Sequence, residues 1–345
     1  MKKKITFKRI SSIILSLLAL LLLPVLAACN SSASDVYEIE IYGGRAGMSS
    51  YTAAIAMAEL INQNSEWLKA TAVESPSITA NFQLLLNEPE RRPDTLIVSL
   101  HQFHMLASEG KEPFTTQYDG LRFIATTGYN LMGFITLDPD IKTIDDFRGK
   151  RVSIGDKSSV TRVQVFEAIF ESAGILDEVE LEYLGISEGI NALRDGLIDA
   201  TVSAVNLVNP PDVYAAIPAQ SELASTKDVY YVSINSEDIT YMNELLGPLE
   251  LEHVVPAGSM GATQAEDWTG LGKPMGWAAD EQMPDDVVYE ICRIIYENAD
   301  KFVDYSPALA YINNETMANW DLPEADMHPG ALQFYEDYGI ELGSY

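Results

Sequence analysis

Twice in this 345-residue chain a short apolar strand runs into a glycine turn and then a helix opening on Ser and Thr. The first instance is the strand Tyr37–Tyr42, the turn Gly43-Gly44, and the helical run Ala53 to Leu60 preceded by Ser49-Ser50. The second is the strand Arg151–Ile154, the turn from Gly155 to Ser159, and a helix from about Val160 to Ala173 that Gly174 closes. Strand and helix keep alternating around each. The first set continues with a strand at Thr71–Glu74, a helix at about Thr79–Leu86 and a buried strand at Thr95–Leu100. The second continues with the strand Glu180–Tyr183, the helix Glu188–Asp195 and the strand Ala200–Ser203. Such alternation predicts an α/β fold, because parallel neighbours need helical crossovers. The expected architecture is two lobes, each a mostly parallel sheet flanked by helices. Residues 37–130 with 232–345 make lobe I and residues 131–231 make lobe II. Crossover segments near 126–137 and 228–236 form a two-strand hinge, suited to closing over a ligand.

The first 28 residues are of another kind. Lys2, Lys3, Lys4, Lys8 and Arg9 precede an almost unbroken apolar run from Ile13 to Leu26. A basic start, an apolar core and small residues at its end describe a secretory signal. The run is short for a membrane-spanning helix and Pro24 interrupts it. Its end, Leu26-Ala27-Ala28-Cys29, resembles the lipobox of bacterial lipoproteins, which implies cleavage before Cys29 and acylation of its thiol. The expected layout is a signal peptide at 1–28, then the lipidated Cys29 and a polar tether to residue 36. An uncleaved anchor is the other reading. Both place the remainder outside the cell membrane, in a periplasm where an outer membrane exists.

Composition narrows the partners. The chain has 22 basic and 51 acidic residues, and five of the basic ones lie in the signal. A body with so few cations lacks the basic footprint that nucleic acid requires. Its 47% apolar content is too high for disorder, so the carboxylates cover real cores. With Cys29 acylated, Cys292 stands alone beside Ile291 and Ile294, where it reads as a small buried thiol. The spacing of the four His offers no metal site, and no nucleophile motif appears. Neither enzymatic activity nor a metal or cofactor is expected.

The candidate site follows from the two turns. Helix N-termini present unpaired N–H groups and partial positive charge, which suit a carboxylate or phosphate. Ser49, Ser50 and Tyr51 stand at the first turn, and Ser158, Ser159 and Thr161 at the second. Arg45 can clamp a carboxylate with parallel hydrogen bonds, and Lys157 adds charge at the second turn. Ser77 and Asn81 open the next helix of lobe I. His101 follows a buried strand, where sheet clefts bind ligands. Asn206 and Asn209 follow the strand at Ala200–Ser203 and precede Pro210-Pro211. Trp67, Trp268, Trp277 and Trp320 are read as packing residues.

Four segments carry a family resemblance. They are Asp146-Phe147-Arg148-Gly149-Lys150-Arg151-Val152-Ser153-Ile154-Gly155, Ala192-Leu193-Arg194-Asp195-Gly196-Leu197-Ile198-Asp199-Ala200, Pro284-Asp285-Asp286-Val287-Val288-Tyr289, and Met327-His328-Pro329-Gly330-Ala331. In this order the chain resembles the TAXI-type solute receptors of tripartite ATP-independent periplasmic (TRAP) transporters. The resemblance implies a type II periplasmic-binding-protein-like fold. It further implies capture of a small carboxylate-bearing metabolite, such as glutamate, a dicarboxylate or an oxo-acid, for sodium-driven TRAP membrane subunits. Asn81 matches a family Asn, and Tyr51 and Thr161 are retained, while the two glycine-rich loops depart from the family pattern. His328 belongs to a family motif and is expected to cap a helix. Alternative readings are a binding protein for an ABC importer or a sensor kinase, or an extracytoplasmic enzyme on the same fold.

Overall fold

The computed structural model describes residues 36–46, 48–209, 213–247, 250–319 and 323–343. The signal, Cys29 and Trp320 lie outside the described residues.

The first set of units builds β1 (Tyr37–Tyr42), α1 (Ser49–Asn64), β2 (Leu68–Val73), α2 (Ile78–Asn87) and β3 (Thr95–Leu100), and α3 (His101–Glu109) follows at once. The long β4 (Leu121–Thr136) leads to the second set: β5 (Arg151–Ser153), α4 (Val160–Ser172), β6 (Glu180–Glu182), α5 (Ile186–Arg194) and β7 (Ala200–Asn209). The chain returns through β8 (Val213–Ala216), α6 (Pro218–Ala224), β9 (Tyr230–Val232), α7 (Ser236–Leu246), β10 (Leu251–Val255) and β11 (Trp268–Asp280). It closes with α8 (Asp285–Glu297), α9 (Phe302–Tyr305) and α10 (Pro329–Tyr338).

The central path of the sheet runs β2-β1-β3-β11-β4-β7-β5-β6. Its two halves repeat one arrangement. β1 pairs parallel with β3, and β11 closes that half antiparallel to β3. β5 pairs parallel with β6 and β7, and β4 closes the second half antiparallel to β7. The two closing strands then pair antiparallel with each other from Leu271 to Asp280 of β11. This duplicated topology is the α/β, periplasmic-binding-protein-like fold that the sequence predicts. One detail differs. The long partner of β4 is β11, whereas the segment expected as a second crossover holds β9, three residues paired to the end of β4.

Glycines make room where β4 and β11 cross. A Cβ on Gly272 would lie 2.0 Å from Tyr129 Oη, and one on Gly133 would lie 2.6 Å from the Trp268 ring. Both rings are buried in a core with Leu131, Val205, Leu207, Val255 and Tyr311. On the opposite face of β4, Phe134 meets Phe147, Phe166 and Phe170 at centroid separations of 4.8–5.5 Å, which fixes α4 to the sheet. Trp268 and Trp277 are buried, as expected, and so is the Cys292 thiol, whose pKa burial pushes up.

The motifs that carry the resemblance hold the fold together. Arg151 grips Asp199 with Nε and Nη2, joining the first motif to the second and holding the carboxyl below its ordinary range. Gly330 presses so closely on Asp285 that a Cβ would meet its carbonyl oxygen at 2.2 Å, locking the fourth motif to the third. His328 caps α10, its Nδ1 accepting the Gly330 N–H at 3.2 Å, as expected. An accepting Nδ1 is an unprotonated one, in keeping with the pKa that burial lowers. The 3.7 Å approach of Asp285 is therefore not an ion pair.

Candidate functional site

The turn after β1 is pinned from below. Asn81, fully buried on α2, donates through Nδ2 to the carbonyls of Gly43 and Tyr42 at 2.8 and 3.2 Å. Gly43 allows α1 to start against this turn, since a Cβ there would meet Ser50 O and Tyr51 Cα at 2.7 Å. Met48, not a hydroxyl residue, occupies the N-cap of α1 and makes no side-chain capping bond. Ser49 and Ser50 are instead the first two helical residues, the one half-buried and the other buried.

A small cavity is lined by Ser49, Ser50, Thr127, Tyr129, Asn206 and Met275, with Gly128 and Leu207 beside them. Thr127 is 3% exposed, and its Oγ1 has no hydrogen-bond partner among the described residues. An orphaned buried hydroxyl costs about 1–3 kcal/mol, so its persistence here calls for an explanation. The cavity holds about 10 Å³, room for one water. It draws on both halves of the sheet: α1 belongs to the first set of units and β7 to the second.

Of the residues proposed from sequence, Ser49, Ser50 and Asn206 meet in this cavity. Asn206 does so because β7 runs on to Asn209, past the expected end of the strand. The side chain of Asn209 lies outside the description. Tyr51 is half-buried in the first turn of α1, and Asn81 reaches the site only through Gly43. Ser77 is exposed and caps α2, its Oγ accepting the Ala80 N–H at 3.1 Å. Arg45 is exposed, its Nε donating to Pro76 O at 2.8 Å. His101 opens α3 rather than a loop. Burial, and then the neighbouring His104, lowers its pKa to about 4, so it is neutral at pH 7.

The second turn is occupied differently. Ser158, through Oγ and N–H, and Ser159, through Oγ, all donate to the Asp156 carboxylate. Those bonds, the Ser158 hydroxyl first, hold the Asp156 carboxyl below its ordinary 3.8. Ser159 is the N-cap of α4 but makes no capping bond, its hydroxyl being used on Asp156. Lys157 lies over the Tyr183 ring at 4.5 Å. Thr161 is half-buried on α4. Sequence reading missed Thr127, and it missed Arg162, which sits under this turn with its Nε buried and without a partner among the described residues. A Cβ on Gly155 would touch Arg162 Cδ at 2.9 Å, so this glycine is what lets the arginine lie there.

The sequence profile of the NMT1-like family matches residues 41–339. The chain belongs to that family. The match spans both halves of the sheet and every residue of the cavity. Among solved structures, the chain is similar to a TctC solute-binding protein from Polaromonas at 14% identity, over 83% of this chain and 90% of that one, with a TM-score of 0.46. It is also similar to a probable amino-acid ABC transporter extracellular-binding protein from Bacillus subtilis, at 13% identity over 80% and 98% of the two chains, TM-score 0.46. A third is MatC from Rhodopseudomonas palustris with bound malate, at 12% identity over 79% and 86%, TM-score 0.44. No helix among the described residues is long and apolar enough to cross a membrane.

Proposed function

We propose that this chain is an extracytoplasmic solute-binding lipoprotein, tethered through Cys29, that captures a small carboxylate-bearing metabolite and delivers it to the membrane subunits of a TRAP transporter. The observation that carries the reading is the unpartnered hydroxyl of Thr127, opening on a cavity shared by Ser49 and Ser50 from one half and Asn206 from the other. A solute oxygen would complete that hydroxyl and meet the uncapped N-terminus of α1, where N–H groups favour negative charge. A space for one water admits a metabolite only if the halves part. β4 and β11 are then the hinge, with residues 37–130 and 232–345 moving against 131–231. Binding between the halves favours the closed arrangement by the difference in affinity between the two.

The four motif segments, which resemble those of solute receptors, support a transport role over catalysis. The choice of a TRAP partner rests on those segments alone. Held near the membrane by its lipid, the receptor would meet its permease at raised effective concentration.

A thermal-shift screen of the purified protein with amino acids, oxo-acids and dicarboxylates tests the reading. A ligand that binds only the folded state raises Tm, and at about 100 times its Kd the gain is about 2.7 kcal/mol. A carboxylate-bearing hit recovered unchanged after incubation is the expected result. Turnover of the hit would instead make the protein an enzyme, and a panel without a hit would remove the carboxylate solute.

A further inference from the structure

A second polar assembly lies one ladder row from the cavity. Asn206 of β7 stands opposite Asn130 of β4, and Asn130 stands opposite Lys273 of β11. Extending the β10 register, in which Leu251 faces Gly272, by one residue sets Glu250 opposite Lys273. Opposed residues of an antiparallel ladder share a face, so four strands carry one row: Glu250, Lys273, Asn130, Asn206. The row joins the cavity at Asn206 and through Asn130, whose Nδ2 contacts Met275 Sδ at 2.8 Å.

Two members of the row are buried charges. Glu250 is 2% exposed and Lys273 8% exposed, and Lys273 Nζ lies 2.5 Å from Glu250 Oε1. Neither carboxylate oxygen makes an aligned hydrogen bond among the described residues. Asn243 of α7 holds the Glu250 backbone on both sides, accepting its N–H at 3.2 Å and donating to its carbonyl at 2.8 Å. Over the same face runs α4: Phe166 packs on Phe134, four residues along β4 from Asn130. Arg162, one turn before Phe166 on the same helix, is near enough for its charge to act on both Glu250 and Lys273.

Charge is unevenly met there. Asp156 and Glu250 are the carboxylates whose field reaches Arg162, yet Asp156 is engaged by Ser158 and Ser159. The guanidinium makes a long hydrogen bond, 3.5 Å from Nη1 to Ser159 Oγ. Burial lowers the pKa of Arg162 and of Lys273 and raises that of Glu250, so each of the three charges is held at a cost that a partner must offset.

Building on the solute-binding reading, we infer that Arg162 and Lys273 form the seat for the solute's carboxylate, and that Glu250 fills that seat as an internal counter-ion until a solute arrives. The cations that choose the ligand's charge are then these two, not the exposed Arg45 and Lys157. Selection follows from it. One carboxylate of an acid replaces that of Glu250 charge for charge, whereas a neutral sugar in its place leaves the buried Lys273 and the half-buried Arg162 unmatched.

Acetate tests the seat without knowledge of the natural solute. Glu250→Gln empties it of charge while keeping its shape, so acetate at about 100 mM should raise the Tm of this variant by about 2–4 °C more than equimolar chloride does. In the wild-type protein acetate must displace Glu250, so the acetate-specific rise should be smaller than in Glu250→Gln. Adding Arg162→Met or Lys273→Met to Glu250→Gln should abolish the increment. Equal effects of acetate and chloride on Glu250→Gln overturn the seat, and an increment indifferent to Arg162→Met removes Arg162 from it. If Glu250→Gln fails to fold in chloride, recovery of fold in acetate supports the seat. Failure in both, with no acetate-specific rise in Glu250→Asp, overturns it. A screen hit combined with a null acetate result overturns the seat while leaving the receptor reading intact.

Discussion

The turn after β1 and the turn after β5 occupy equivalent places in the two halves, yet they solve the same local problem in opposite ways. In the first, Ser49 and Ser50 line a cavity and the nearby cation, Arg45, is out in solvent on Pro76 O. In the second, Ser158 and Ser159 are drawn onto Asp156, and the nearby cation, Arg162, is half-buried beneath the turn with its Nε out of solvent. The next helices differ in kind too. The fourth residue of α2 is Asn81, hydrogen-bonded to the strand end; the fourth residue of α5 is Gly189, where a Cβ would sit 2.3 Å from Thr201 Oγ1. Duplicated topology thus fixes where a helix N-terminus goes and leaves open what it offers. One turn offers neutral donors and the other a positive charge.

The largest expected effect falls on the buried ion pair at β11, beside the seam where that strand meets β4. Lys273→Met strands the buried Glu250 and should cost about 3–5 kcal/mol in urea unfolding, while Lys273→Met with Glu250→Met should cost far less. If the double variant is as unstable as the single one, the pair is not the reason for the loss. Next is the turn after β1, with its neutral donors. Ser50→Ala removes one donor facing the cavity, worth about 1 kcal/mol or roughly five-fold in the Kd of a screened acid. Ser158→Ala, whose hydroxyl already serves Asp156, should leave that Kd within about two-fold by calorimetry. Equal losses in the two serine variants would erase the contrast.

Acid unfolding sharpens it further. The Asp156 carboxyl is depressed in the folded state, so its contribution is complete above the ordinary value of 3.8 and fades as pH falls through the lower folded value. Asp156→Asn should therefore be less stable than the wild type at pH 6 and converge on it at the lowest pH where both fold. A constant gap between the two curves would show that the carboxylate's charge is not involved. Arg45→Ala should have the smallest effect, about two-fold on affinity, since an exposed charge acts through solvent.

Most of the repeated half-structure was legible. Strands β1, β3, β5 and β6 and helices α1, α2, α4 and α5 lie within a few residues of where periodicity and glycine stops place them. The central strand β11 was not, because Gly270, Gly272, Pro274 and Gly276 read as turn residues. In the structure those small residues belong to a strand that must admit the rings of Tyr129 and Trp268. The site was legible where a hydroxyl followed a glycine turn, as at Ser49 and Ser50. It was illegible at Thr127, inside an apolar strand, and at Arg162, which in sequence looks like any helix-surface arginine. The pairing of Glu250 with Lys273 depends on the register of β10 against β11, which no local pattern encodes.

The most direct test is a crystal structure of the protein grown with the acid that raises Tm most. One carboxylate should lie within hydrogen-bond reach of Arg162 and Lys273, Glu250 should be displaced from Lys273, and Ser50 and Thr127 should donate to the same molecule. An acid bound elsewhere on the surface, with the Glu250–Lys273 contact intact and the cavity closed, would contradict the account.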